Sequence, residues 1–272
     1  MLCRSLILVV FACVAQVIHA ADAVSHPGGV LRVPVGVAAS PPPEVRFQGN
    51  RVLVHPLGTA WEAVVGIPLD TSPGWESLEI RTADGVSRAL PFTIEAYDYP
   101  VQHLRVPNKR HVNPTPEDLA RYAREREAQD IAKRAWREAL PTRVALDLPV
   151  SGRRSSAFGL RRTFNGEPRN PHSGLDLAVP VGTPVRAPAA GRVTLSGDYF
   201  FNGRTLFIDH GQGLISMLCH LSKFDVALGD EVAAGAVIAR SGATGRATGP
   251  HVHWSVFLNG TSVDPEALVA RP

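Results

Sequence analysis

GATGRATGPHVHWSV, residues 242–256, is the stretch on which the reading of this chain turns. A run of glycines and small polar residues leads into two histidines, His251 and His253, and then into the strand-like WSVF of residues 254–257. Along a strand, side chains alternate between faces, so residues two apart share one. His251 and His253 therefore present two imidazoles to the same side. An isolated pair of this kind occurs often by chance, so the rest of the chain has to supply the partners that would make it a site.

Two further stretches supply them. PHSGLDLAV, residues 171–179, sets His172 and Asp176 four apart, on one face if the segment is a strand, with Gly174 between them leaving room. LISMLCHL, residues 214–221, alternates apolar and polar residues and carries His220 near its end. Two imidazoles and one carboxylate, with a fourth position open to water, form the ligand set of a catalytic zinc ion. Zn²⁺ is borderline-soft and accepts nitrogen and oxygen donors. His172, Asp176 and one histidine of the HVH pair would be the ligands. The other HVH histidine and His220 would face the water, where imidazoles can take its proton and hold a developing oxyanion. Cys219, next to His220, points to the opposite face of a regular strand and reads as a packing residue. His210 reads as structural or supporting, and His26, His55 and His103 as scattered structural or exposed residues.

Outward from these motifs, the chain divides into parts of different texture. Its 272 residues allow two domains with real cores, and 44% hydrophobic with 19% charged residues is the balance of a folded protein. MLCRSLILVVFACVAQVIHA, residues 1–20, has the basic start, short apolar core and small-residue exit of a secretory signal peptide, which implies a periplasmic protein with no integral span after cleavage. Lipid attachment at Cys13 is the weaker variant, because Phe11 suits a lipoprotein signal poorly. Loss of this segment removes Cys3 and Cys13 and leaves Cys219 alone, so no intramolecular disulfide is expected. It also removes Arg4, which takes the formal charge from +3 to +2. That mild basicity suits an anionic wall polymer and is too weak to argue for nucleic acid.

Residues 21–112 read as an N-terminal β domain. LRVPV, EVRFQ, RVLVHP and AWEAVVGIP are short β-rich segments broken by Gly and Pro, and Asp84-Gly85 supplies a hairpin turn. Residues 113–143 read as a helical linker. Thr115 is placed to cap it, Pro116 suits its first turn, and Glu117 and Asp118 complement the positive helix end. Its apolar points, Leu119, Tyr122, Ile131 and Ala135, are few, as in a solvated connecting helix. From residue 144 to 272 the chain is again β-rich with glycine turns.

HSGLD, LCHL and GATGRATGPHVHW, in this order and at these separations, resemble the lysostaphin-type (LytM-like) zinc endopeptidases of peptidoglycan, over roughly residues 150–268. The resemblance implies a mainly β chain ending in a compact antiparallel β catalytic domain with a groove across one zinc ion. It places His172, Asp176 and His253 as metal ligands and His220 and His251 as the catalytic pair. The family resemblance implies hydrolysis of peptide cross-links or stem peptides of peptidoglycan, at glycine-adjacent or D-alanyl bonds; FGLRRTFNGEPRNPHSGLD resembles the Gram-negative, cell-wall-remodelling branch, which favours D-alanyl cross-links. Arg161, Asn165 and Arg169 are its candidate groove residues, and Gly242, Gly245 and Gly249 would shape a groove wall. Leu218 stands where many members carry Tyr, which implies a missing groove contact; Trp254 stands where Phe is common. The alternative is a non-catalytic relative that activates cell-wall amidases after losing metal ligands, and this chain keeps all five residues. A carrier module, which DVALGDEVAAGAVIARSG also resembles, lacks the lysine such modules modify. The domain order further raises self-inhibition, with the N-terminal domain or the helix covering the groove.

Overall fold

The structure, a computed structural model, describes residues 23–105, residue 110 and residues 113–270. The signal segment at residues 1–20 and His111 lie outside the described residues.

In the N-terminal part, eight strands form two sheets, one of five strands and one of three. Period-2 burial explains their facing: in Val30–Val37, Leu31, Val33 and Val35 point inward while Arg32 and Pro34 between them are exposed. Val45, Phe47, Leu78, Ile80, Phe92 and Ile94 come from the five-stranded sheet and close the same core. The hairpin Gly74–Arg81/Ser87–Ile94 turns through residues 82–86, with Gly85 at φ +89°. That left-handed conformation costs a residue without Cβ little.

The three-stranded sheet is buried on both faces. Val54, Ala63 and Val65 belong to the N-terminal core, while Leu53 and Val64 enter the core of the C-terminal part. Consecutive buried residues, Ala63 to Gly66, are what a strand shows when both faces are covered. The side-chain amide of Asn259 fastens the end of the central strand Ala60–Gly66: its Oδ1 accepts from Gly66 N (2.6 Å) and its Nδ2 donates to Gly66 O (2.9 Å).

The helix Pro116–Lys133 starts on a full capping box between Thr115 and Asp118. Its docking differs from the apolar-point reading: Leu119 and Ile131 are exposed, and Gln129 and Ala132 are buried. Arg121 donates to Asp198 O (3.0 Å), Glu125 accepts from Phe200 N (2.8 Å), and Gln129 accepts from the Asn202 amide (2.8 Å). The helix is thus fixed by polar contacts to the turn at residues 198–202, and Ala132 closes a small core with Phe207, Ile215, Met217, Cys219 and Phe257.

The C-terminal part is built on an eight-stranded sheet whose centre is Leu175–Ala178, His251–Leu258, Leu214–Leu221 and Gly203–Gly211, in that spatial order and all antiparallel. Trp254 is fully buried in its core, beside Leu175, Leu218 and Val256. A smaller three-stranded sheet joins the two parts: Val101–Leu104 pairs in parallel with Arg161–Phe164, which also pairs with Glu167–Pro168. No described helix is long and apolar enough to cross a membrane.

Candidate active site

Strand register brings two of the expected residues face to face. Asp176 lies directly opposite His253 across the Leu175–Ala178/His251–Leu258 pair, and alternation puts His251, His253 and Ser255 on the side away from Trp254. His172 does not come from the strand, as the four-residue spacing suggested. It sits in the loop before it, held by His172 N donating to Leu160 O (3.0 Å) and Gly159 N donating to His172 O (2.8 Å). Gly174 makes the bend fit: a Cβ there would stand 2.5 Å from Trp254 O and 2.8 Å from His253 Cε1.

The three side chains converge. His172 Nε2 lies 3.0 Å from Asp176 Oδ1 and 3.0 Å from His253 Nδ1, and His253 Nδ1 lies 2.8 Å from Asp176 Oδ1. Among the described residues they form the one group of this kind able to hold a metal ion. The outer nitrogens are hydrogen-bonded as well. His172 Nδ1–H donates to Ala157 O (2.7 Å), which leaves the lone pair of that ring on the inward Nε2, and His253 Nε2 is hydrogen-bonded to Ser255 Oγ (2.8 Å).

Burial lowers the His253 pKa to about 4, against the pull of Asp176, so at neutral pH it is a neutral base. Burial alone would raise the Asp176 carboxyl, but the adjoining His172 and His253 rings hold it well below the usual range. Two imidazole nitrogens and a carboxylate oxygen thus lie within 3.0 Å of one another, a donor set that suits a cation. Ligands 2.0–2.1 Å from a tetrahedral zinc stand about 3.3 Å apart, close to the spacing seen.

His220 joins from the neighbouring strand by an irregularity. Cys219 is paired opposite His253, so strict alternation would turn His220 towards the Trp254 side. His220 instead has φ +62°, a left-handed conformation costly for a residue with a side chain, and its ring lies 4.7 Å from that of His251 and 6.1 Å from that of His253. Gly242 permits the kink, since a Cβ there would meet His220 O at 2.6 Å. His220 Nδ1–H donates to Thr244 O (2.8 Å) and His251 Nδ1–H to Gly249 O (2.8 Å), which leaves Nε2 of each as the basic nitrogen. His251 Nε2 is 3.8 Å from Asp176 Oδ1. Burial, and then repulsion from His251 and His253, lowers the His220 pKa to about 3.

Other expected residues are placed as follows. Cys219 is fully buried, and burial pushes its thiol up to about 12, which fits packing. Leu218 is also fully buried and paired with Trp254 in the core. His210 is structural: Nδ1–H donates to Ala190 O (2.9 Å) and Nε2 accepts from Ser216 Oγ (2.9 Å). Gly245 has φ +68° and packs on Gly203, whereas a Cβ at Gly249 would meet nothing within 4 Å, so Gly249 contributes its carbonyl and not its lack of side chain.

Of the three candidate groove residues, two have local structural work. Arg161 donates to Tyr99 O (3.1 Å) and Asp98 (3.1 Å) in the N-terminal part. Asn165, at φ +53° beside Gly166, makes the hairpin turn before Glu167, and its N–H donates to Leu104 O (2.9 Å). Arg169 donates to Glu167 (2.5 Å) and lies in the field of Arg246, whose guanidinium stacks over Phe201 (4.3 Å) and Phe164 (5.0 Å). Burial, then repulsion from Arg169 and Arg162, lowers the Arg246 pKa to about 10.

Sequence reasoning passed over Arg162, Arg246, Ser255 and Gln102. Ser255 was findable by continuing the period of two from His253. Arg162 and Gln102 carry no local signal, because their meeting depends on a strand pairing across sixty residues.

Both parts of the chain are similar to known proteins. Residues 170–265 match the model of peptidase family M23, and residues 23–96 match the model of the peptidase family M23 N-terminal domain. A crystal structure from Pseudomonas aeruginosa assigned to peptidase M23 superposes with a TM-score of 0.76 at 48% identity, covering 90% of this chain and 94% of that one. The DD-carboxypeptidase/endopeptidase Mpg of Neisseria meningitidis is 42% identical over 119 residues, 44% of this chain and 27% of that protein. The peptidoglycan DD-endopeptidase ShyA of Vibrio cholerae is 39% identical over 111 residues, 40% of this chain and 26% of that protein. The chain therefore spans about a quarter of the length of these curated relatives.

Proposed function

The chain belongs to peptidase family M23, and from that premise we propose that it is a zinc metalloendopeptidase of peptidoglycan that cuts D-alanyl peptide cross-links in the periplasm. The observation that carries this reading is the convergence of His172 Nε2, Asp176 Oδ1 and His253 Nδ1 within 3.0 Å of one another. The relatives' names support the substrate, and the signal-like residues 1–20 support the compartment.

His172, Asp176 and His253 would hold the ion. Bound there, zinc would supply Lewis acidity to the scissile carbonyl and bring the pKa of a water towards about 7. His220 and His251 are the proton-handling pair. Each has its Nδ1–H tied to a backbone carbonyl, so the Nε2 atoms are oriented before substrate arrives. With its pKa lowered, neutral His220 accepts a proton from the attacking water and passes it to the leaving amine, and His251 would steady the oxyanion only in its protonated form, with Nε2–H as the donor. Arg169 and Arg246 supply positive charge for the carboxylates of stem peptides. The complete ligand set weighs against a non-catalytic amidase activator.

Self-inhibition is a second reading, favoured by the contacts of the linker. Val101–Leu104 pairs beside Arg161–Phe164, and the helix docks on residues 198–202, whose Asn202 O accepts from His220 N (3.0 Å). Loosening the helix with Glu125→Ala in the full chain at saturating zinc should then speed hydrolysis, and an unchanged rate would end this reading.

Mass analysis of purified peptidoglycan after digestion tests the main proposal. Loss of cross-linked dimers with the wild type and not with His172→Ala is the expected result. Dimers left intact by a zinc-loaded wild type would overturn it.

A further inference from the structure

The metal-facing oxygen of Asp176 is only half of its carboxylate. The other, Oδ2, accepts from Arg162 Nη2 at 2.9 Å, and this ion pair is largely shielded, with side-chain exposures of 15% for Arg162 and 11% for Asp176. The same Nη2 donates to Ser156 Oγ (2.6 Å), while Arg162 Nε donates to Gln102 Oε1 (3.0 Å). Ser156 Oγ–H donates to the same Oε1 (3.0 Å), which closes a ring of three side chains behind the carboxylate. A guanidinium only donates, so the Gln102 atom facing it must be the amide oxygen, which fixes that amide's orientation.

The origin of Gln102 gives this ring its meaning. Gln102 lies on Val101–Leu104, between the N-terminal sheets and the helix, and sits in register with Arg162 across the parallel pair. Ser156 and Arg162 come from the C-terminal part, Ser156 being in register with Asp176 itself. A segment preceding the catalytic sheet therefore orients the guanidinium that orients a metal ligand.

We propose that Arg162 is a positioning residue that holds Asp176 in its metal-binding rotamer, and that Gln102, through Arg162, makes metal affinity depend on the docking of the Val101–Leu104 strand. The inference rests on the metal-site reading above. Partners of ligating carboxylates fix the ligand's direction, and their loss typically costs 10–100-fold in metal affinity or activity. Arg162 occupies that position geometrically. Gln102 contributes by restricting the guanidinium to the rotation in which its Nη2 reaches Oδ2.

The test is the zinc dissociation constant of the full chain, measured by competition with a chromophoric chelator, together with the melting temperature of the metal-free protein. Arg162→Met should weaken zinc binding about 10–100-fold. Arg162→Lys, which keeps the charge and loses the fork, should fall between it and the wild type. Gln102→Ala should weaken binding severalfold alone and add nothing in the Arg162→Met background, with little change in metal-free melting. Unchanged affinity in Arg162→Lys and Gln102→Ala overturns the proposal and leaves the metal site standing. An equal loss from Gln102→Ala in both backgrounds shows that Gln102 does not act through Arg162 and overturns the relay. A wild type that binds no zinc overturns the metal-site reading and this proposal together. Should Arg162→Met fail to fold, the Lys and Gln102 variants carry the test by themselves.

Discussion

Gly174 and His220 show how single residues set the site. A methyl group at 174 would stand 2.5 Å from Trp254 O, 2.7 Å from Ser255 Oγ and 2.8 Å from His253 Cε1, and two of those atoms belong to the proposed ligand His253 and to its hydrogen-bond partner. Gly174→Ala should therefore cost about 1–3 kcal/mol of stability, as overpacking does, and weaken zinc binding at the same time. Denaturant melts and chelator competition on one preparation would check both. His220 works differently, because it touches no ligand atom of the metal cluster. His220→Ala should leave zinc content intact and lower kcat by about 10²–10⁴-fold, the range for a lost acid–base group.

At this scale the HVH pair was legible because alternation is a local rule. The loop origin of His172 was not, since a spacing of four fits a strand and a bend equally. Nor was the left-handed turn at His220, which only the packing of Gly242 against its carbonyl explains.

Among the elements, the helix Pro116–Lys133 separates what sequence reveals from what it hides. Its start was legible, because Thr115, Pro116 and Asp118 each act within one turn. Thr115→Ala should lower stability by about 1 kcal/mol, to be read from a urea midpoint at unchanged slope. Its docking was hidden, because the side chains that make it, Arg121, Glu125 and Gln129, are the residues that also mark a solvated helix. The same limit applies to the three-stranded N-terminal sheet. The alternation rule reads one buried face, while Leu53 and Val64 send the other face into the C-terminal core.

Those shared contacts make the described chain one continuous packed body, and its stability should respond to acid through buried histidines. Burial lowers the His210 pKa to about 4, from the ordinary 6.5. The unfolded chain then binds the extra proton first as pH falls, so the stabilisation is complete above 6.5 and is lost between 6.5 and 4. A shift of that size corresponds to roughly 3 kcal/mol. In zinc-saturated protein, His210→Asn should be less stable at pH 7 and lose less stability over that window; an identical slope would show that other groups set the acid limb.

If one metal ion, held by His172, Asp176 and His253, drives cleavage of peptidoglycan cross-links as proposed, titrating zinc into metal-free protein should release monomers from a purified cross-linked dimer. The expected rate rises in proportion to zinc, breaks at one equivalent, and is absent in His172→Ala. Cleavage that persists in the chelated wild type or in His172→Ala would contradict it.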